Sequence, residues 1–462
     1  MHARLWVADD VRLGSSSGGS SPAASPSGPS DSDGGSTSTD EHCPDDPRES
    51  RRHFSRFRPT SPSSSSPLCG DDYKHLQRMA LLLPAFSSTA AARAGALRQW
   101  IAGFDVGWVL DMGRGSGTDH GLPRREVGRR IRAWAQALGA MDRVFRGRHL
   151  EVRSPASDAA AAELAGESVG VMLRLTGTVA TLASSPSKLL AALDAYAAVS
   201  EACPGLARTF SWAPSHPVPA AADAALADLL DASRRCVRDL RGFIRAPQYP
   251  WRMPQGGEEH PSVGFWMGYL RCMLRNRVPL YFVLAGGDQD EGGLVMELIA
   301  CLEAALEDKS AALAFPWLRQ LFMLNNTSAI VRCAARADAI GMLLSPGWAG
   351  AREERMEGYI RDYLRVSWAP VVSRLGGKPG AMNALRRRHP LSAFHSAFQN
   401  ASSMQRGWKV PSPVLRGDLR MAVSETVVPA YRRYLDSHPE VDVPAGRGAE
   451  ELRRHLSELF EG

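Results

Sequence analysis

Hydrophobic residues recur every three or four positions through most of this chain, and that period constrains its fold more than any other feature. In residues 352–375 the apolar side chains fall on one stripe: Met356, Tyr359, Ile360, Tyr363, Leu364, Trp368, Val371, Val372 and Leu375. Residues 294–308 (LVMELIACLEAALED) repeat the pattern, with acidic residues on the opposite side. This is the spacing of a helix that buries one face. Similar runs elsewhere, without alternating strand patterns, predict an all-α protein.

Helix-breaking residues divide these runs into segments. They occur at Ser185-Pro186, within 214–219 and 247–261, and at 376–377 and 411–413. Many helices joined by short connections pack as antiparallel hairpins. We therefore predict an elongated rod of stacked helical bundles, with N-terminal bundles over 67–250, a middle bundle over 251–375 and a C-terminal, candidate membrane-facing bundle over 376–462.

The first part of the chain has a different composition. Residues 1–66 are rich in Ser, Pro, Gly and Asp. Such a stretch buries too little apolar surface to offset the entropy of ordering the chain. We predict a disordered tail over 1–66.

Charge and motifs argue against several function classes. The chain has 55 basic and 49 acidic residues, a net charge of +6 that is too small to imply a nucleic-acid partner. Its seven cysteines are scattered without the paired spacing of a zinc site. The glycine-rich stretch at 113–117 lacks the lysine of a phosphate-binding loop. We expect no catalytic residue, no cofactor and no metal, and therefore not an enzyme.

Two adjacent amides, Asn325 and Asn326, interrupt an apolar helical run. Buried amides are costly unless each finds hydrogen-bond partners. One interpretation is that they tie this helix to a neighbouring hairpin. The other is that they line a groove for a partner, and the first is favoured.

The same stretch carries a family resemblance. Leu321-Phe322-Met323-Leu324-Asn325-Asn326, followed by Ile330-Val331, is similar to the most recognisable string of the seventy-kilodalton exocyst subunit family. Further short matches follow in order over roughly 70–462, and they include 185–190, 193–196, 260–270, 302–310, 359–368, 405–411, 425–432 and 459–462. The plant branch of the family is the best fit.

The resemblance implies a function. Relatives are subunits of the exocyst, which tethers secretory vesicles to the plasma membrane during exocytosis. It implies a cytoplasmic protein that associates peripherally with the plasma membrane. Its implied partners are the other exocyst subunits and anionic lipids, above all phosphatidylinositol 4,5-bisphosphate bound by the C-terminal bundle.

The sequence departs from the family pattern at two places. Residues 1–66 stand where relatives carry a long coiled segment that packs with other subunits. Residues 444–449 (PAGRGA) stand where relatives carry lipid-binding lysines. An alternative is therefore a diverged paralog that is uncoupled from the exocyst and serves as a protein-binding scaffold in plant immunity or specialised trafficking.

Other cations near the C-terminus are candidates for anionic-lipid binding, because several basic residues on one face attract an anionic surface. The candidates are Arg386, Arg387, Arg388, Lys409, Arg432, Arg433, Arg447, Arg453 and Arg454. The competing interpretation is a solvated helix face with no ligand.

Overall fold

The computed structural model describes residues 70–112, 124–147, 155–211, 215–246, 251–287, 289–376, 390–441 and 446–461. Within these ranges the regular secondary structure is helical, and the one β-type pairing is an isolated bridge between Lys409 and Glu461. The predicted all-α class is confirmed. The tail predicted over 1–66 lies outside the described residues.

Six α-helices form the first part of the described chain. They are α1 (Gly70–Phe86), α2 (Ala90–Ala102), α3 (Arg124–Gly147), α4 (Pro155–Thr181), α5 (Pro186–Thr209) and α6 (Pro217–Arg245). A short 3-10 helix, Gly107–Asp111, follows α2.

Ten more α-helices follow within the described ranges. They are α7 (Pro261–Leu274), α8 (Arg277–Leu284), α9 (Glu291–Ser310), α10 (Pro316–Ala335), α11 (Asp338–Gly341), α12 (Trp348–Ser367), α13 (Ala369–Val372), α14 (Pro390–Gln405), α15 (Pro413–Asp436) and α16 (Ala449–Ser457). A 3-10 turn, Ser373–Leu375, extends α13.

Several of the prolines that the sequence marks as helix-breaking lie at the starts of helices. Proline occupies the first turn of α5, α6, α7, α10 and α15, where its missing N–H and fixed φ are compatible with a helix. The residue before it often caps the helix. Ser185 Oγ accepts the Lys188 amide at 3.1 Å, and Ser412 Oγ accepts the Leu415 amide at 3.4 Å.

Lys188, the last residue of the Ser-Pro-Ser-Lys string at the start of α5, has a structural role. Its side chain is buried, and its Nζ atom donates to the carbonyls of Ala180 (3.1 Å) and Leu182 at the end of α4. Burial lowers the pKa of Lys188. The lysine therefore satisfies helix-terminal carbonyls of α4 while Ser185 caps the next helix.

The buried apolar residues form two clusters that share α5 and α6. The first cluster runs from Met79 to Leu229, and the second includes Cys236 and continues to Phe460. The N-terminal half of α6 thus packs in one core and its C-terminal half in the other. The bundle boundaries proposed at 250 and 375 stay predictions.

Asn325 and Asn326 join α10 to two distant segments. Asn325 Nδ2 donates to the carbonyls of Gly257 (2.7 Å) and Lys409 (3.0 Å). Asn326 Nδ2 donates to Phe322 O at 2.7 Å, and its Oδ1 accepts the His260 amide at 2.7 Å. Both side chains are buried. The interpretation that they tie the helix to a neighbouring segment is confirmed, and neither lines an open groove.

Candidate functional site

Tyr431 links three parts of the C-terminal bundle: α14, α15 and the segment that precedes α16. Tyr431 of α15 stacks on Phe394 of α14, with ring centroids 5.2 Å apart. Its hydroxyl donates to the carbonyl of Arg447 at 2.7 Å and lies 3.3 Å from His395 Nε2. Burial lowers the pKa of His395, and the charge of Arg447 lowers it further. Tyr431 therefore fixes the start of the segment that leads into α16.

The last described residues are held by α15. Arg416 and Arg420 both form ion pairs with Glu461, and Arg420 also donates to the Leu459 carbonyl. Phe460 is fully buried with a φ of 66°, a left-handed conformation that is uncommon for a residue with a side chain. Leu459 and Phe460 are therefore part of the packed core of this bundle, while Glu461 is exposed.

Three of the candidate cations form ion pairs. Arg432 contacts Glu450 at 2.7 Å, and Arg453 contacts the same carboxylate at 2.5 Å. The hydrogen bond from Arg453 is the main cause of the lowered pKa of Glu450. These contacts bring Arg432 of α15 and Arg453 of α16 together, but around a negative charge.

Arg454 is also paired. It contacts Glu451 at 2.6 Å and Glu458 at 2.7 Å. The hydrogen bond from Arg454 lowers the pKa of Glu451. The outer face of α16 therefore alternates in sign instead of presenting a continuous positive surface.

Three other candidates are exposed and form no ion pair within the described part of the chain. They are Lys409, Arg433 and Arg447. Lys409 lies on the segment bridged to Glu461, and its amide donates to the Gly256 carbonyl at 3.1 Å. Arg386, Arg387 and Arg388 lie outside the described residues, so the structure does not place them relative to the rest.

Sequence reasoning missed an ion cluster and an exposed face. Glu303 of α9 is buried and accepts two hydrogen bonds from Arg352 of α12, at 3.0 and 3.1 Å, and one from Arg355 at 3.2 Å. Nothing in the local sequence marks this contact, because Arg352 lies 49 residues from Glu303. The exposed face of α6, by contrast, has a charge pattern that is visible in the sequence.

In the described ranges, no group of three or more His, Cys, Asp or Glu side chains is placed to hold a metal ion. Helix α5 is the one helix there that is long and apolar enough to cross a membrane, and 61% of its apolar window is buried inside the protein. A core helix has the same properties.

A family model described as the C-terminal part of the Exo70 exocyst complex subunit matches residues 138–450. The chain belongs to the Exo70 exocyst complex subunit family. The match begins within α3 and ends at the start of α16. It includes α10, which carries Asn325 and Asn326. It also includes the candidate lipid-binding residues Lys409, Arg432, Arg433 and Arg447.

Curated relatives come from Arabidopsis thaliana. The chain is 25% identical to the exocyst component EXO70A1, over 70% of this chain and 53% of that protein. It is 25% identical to EXO70B1, over 74% of this chain and 59% of the relative, and 28% identical to EXO70B2, over 59% and 46%. The chain thus spans about half the length of these relatives.

Solved structures of Exo70 from S. cerevisiae are also similar. One covers 80% of this chain and 76% of its own, at 12% identity and a TM-score of 0.44. Another covers 84% and 88%, at 11% identity and the same TM-score of 0.44.

Proposed function

We propose that this Exo70 family member acts as a non-enzymatic exocyst subunit that helps to tether secretory vesicles to the plasma membrane. The observation that carries the proposal is the family match over residues 138–450. The ordered helical scaffold supports it, since packed helices present extended surfaces for protein contacts. The other exocyst subunits are its proposed partners, and the cytoplasmic side of the plasma membrane is its proposed location.

Affinity capture tests this function. The full tagged chain would be recovered from plant cells and scored for the other exocyst subunits. Recovery of these subunits in comparable amounts supports the tethering role. A matched capture with an unrelated helical protein of similar charge controls for non-specific recovery. Recovery of none of them, from cells in which the exocyst itself is intact, would overturn it.

We further propose that the C-terminal bundle contacts anionic lipids, with phosphatidylinositol 4,5-bisphosphate as the favoured headgroup. Arg433, Arg447 and Lys409 are the described cations best suited to this role, because no carboxylate in the described part of the chain neutralises them. Each basic residue near an anionic membrane contributes about 1 kcal/mol. Arg432, Arg453 and Arg454 contribute less, because glutamates already neutralise them.

A second candidate function is a scaffold uncoupled from the exocyst, which binds other proteins in plant immunity or specialised trafficking. The alternating charges of α16 favour it, since a surface of mixed sign suits a protein partner better than a uniformly anionic membrane. The capture experiment separates the two functions. A stoichiometric set of partners without exocyst subunits supports the scaffold.

A further inference from the structure

The outward face of α6 is exposed in the described part of the chain. The helix packs against α4, α5, α8 and α9. Eight of its exposed residues recur at alternating intervals of three and four and form one stripe, beside which Asp223, Ala227, Asp239 and Arg241 are also exposed. The stripe consists of Ala221, Ala224, Asp228, Asp231, Arg235, Arg238, Gly242 and Arg245, all exposed. We call this set the α6 stripe.

Charge is segregated along the α6 stripe. Its N-terminal half contains two aspartates and no cation, and its C-terminal half contains three arginines, with one exposed acid, Asp239, beside them. A helix dipole favours cations only in the last turn, so it accounts for Arg245 but not for Arg235 or Arg238. Arg235, Arg238 and Arg245 form no ion pair within the described part of the chain, and Asp231 pairs with Arg234, off the stripe, at 3.0 Å.

The stripe is also self-complementary about position 233. Asp231 and Arg235 are each two residues from that position, and Asp228 and Arg238 are each five residues from it. The small residues Ala224 and Gly242 are each nine residues away. An antiparallel copy of α6 would therefore place every aspartate of the stripe opposite an arginine.

Local geometry permits a close approach. Ser233, at the centre of the pattern, is buried on the opposite side of α6. Its side chain therefore does not lie between two stripes that face each other across a twofold axis. A Cβ atom added at Gly242 would have nothing within 4 Å, so the space above this residue is open. Small residues let two helix backbones approach closely. The paired stripes, from Ala221 to Arg245, would extend over about 36 Å.

An apolar surface lies beside the centre of the stripe. Helix α8 exposes Val278, Tyr281 and Phe282 to 68, 63 and 42%. It is tied to α6 by Arg234, which donates to the carbonyls of Phe282 and Val283, both at 3.3 Å. A twofold axis at position 233 would bring the α8 helices of two copies to the same side of the helix pair. They would add the apolar burial that exposed ion pairs alone do not supply.

We propose that the α6 stripe is a self-association surface on which a second copy of this chain docks antiparallel. In this dimer Asp231 pairs with Arg235 of the second copy, and Asp228 pairs with Arg238 of the second copy. Twofold symmetry repeats each pair. The proposal is independent of exocyst membership, because it requires only this chain.

Sedimentation equilibrium of the full chain tests the dimer. At about 50 mM salt we expect a monomer–dimer equilibrium that shifts towards monomer at about 500 mM, since salt screens exposed charge pairs. A chain that stays monomeric at about 100 µM in low salt, a concentration that reveals small and transient interfaces, would overturn the proposal.

Charge reversal provides the sharper comparison. Asp228→Arg with Asp231→Arg makes the stripe wholly basic, and Arg235→Asp with Arg238→Asp makes it acidic in the middle. Each variant alone should dimerise at least about tenfold more weakly, because like charges then face each other. An equimolar mixture should recover dimers, which a merely misfolded variant could not do. Glu354→Arg, an exposed change on α12, is the matched control and should leave dimerisation unchanged.

Cysteine cross-linking tests the antiparallel arrangement. Ala224→Cys combined with Gly242→Cys should give a disulfide-linked dimer on mild oxidation, because disulfides need Cα atoms within about 7 Å. Ala224→Cys alone, like the wild type, should not. Cross-linking by the single variant, or dimers unaffected by charge reversal, would overturn the proposal.

Discussion

Asn326 Oδ1 accepts the backbone N–H of His260 at 2.7 Å, although 66 residues separate them in the chain. Both residues are buried. His260 in turn caps α7, because its Nδ1 atom accepts the Ser262 amide at 3.2 Å. The Asn326 side chain of α10 therefore holds the residue that caps α7, which gives this part of the family motif a structural role.

Replacing Asn326 with Ala should lower the free energy of unfolding by about 2 kcal/mol, because the substitution leaves the buried His260 amide without its acceptor. Urea titration followed by circular dichroism measures the change. Asn400→Ala, an exposed amide on α14, is the matched control and should stay within about 0.5 kcal/mol. Equal effects of the two substitutions would contradict the assigned role.

The Glu303 cluster gives a second stability prediction. Arg352, whose side chain is 14% exposed, makes a bidentate contact with Glu303 and lies over the Trp348 ring at 4.4 Å. Glu303→Ala leaves this cation without its carboxylate and should cost about 3 kcal/mol. Asp362→Ala breaks the exposed pair with Arg365 and should cost less than about 1 kcal/mol in the same urea titration. A Glu303 variant as stable as the Asp362 variant would show that the buried pair is not stabilising.

His260 predicts a specific pH dependence. Burial lowers its pKa from 6.5 to about 4, and Lys309 contributes in the same direction. Between these two values the unfolded chain binds a proton that the folded chain does not, so stability falls as the pH falls through this window. We expect His260 to account for roughly 3 kcal/mol of that loss.

The His260→Asn variant isolates this contribution, because asparagine can still cap α7 while it cannot titrate. Urea midpoints would be measured for both proteins from neutral pH down to the acidic end of the window. The variant should show the shallower decline. Parallel pH profiles would mean that His260 titrates alike in the folded and unfolded states.

The lipid proposal predicts an asymmetry among the C-terminal cations. Arg433→Ala with Arg447→Ala should weaken binding to vesicles containing phosphatidylinositol 4,5-bisphosphate by about 30-fold, since each contributes about 1 kcal/mol. Asp362→Ala with Arg365→Ala removes one exposed ion pair on α12, one charge of each sign, and is the matched control, for which little change is expected. Vesicle flotation at low salt measures both. If the two variants and the wild type bind the vesicles equally, Arg433 and Arg447 do not contribute to lipid binding.

Much of the fold could be predicted from the sequence, because helical periodicity and proline position act locally. The stripe of Met356, Tyr363 and Trp368 correctly indicated a buried face, and Ser185-Pro186 marks a helix start. The amide pair was also correctly interpreted, since two amides in an apolar run need distant partners.

The candidate surface was less predictable, because ion pairing depends on packing between segments far apart in the chain. Glu450 neutralises Arg432 from 18 residues away, so counting cations overestimated the positive charge of the surface. Arg416 and Glu461 lie 45 residues apart, and no local sequence pattern predicts that they form an ion pair. On α6 the pattern of charges is readable in the sequence, but only the structure shows that Asp228, Arg235 and Arg238 face outwards.

The most direct test of the account is reconstitution of the purified chain with the other exocyst subunits, co-expressed as a complex that lacks its own Exo70 subunit. Size-exclusion chromatography with light scattering would report whether the chain joins that complex. The account predicts co-elution at one copy per complex, including for the Glu354→Arg control. Separate elution of a folded chain, with the complex otherwise complete, would contradict the proposed exocyst function.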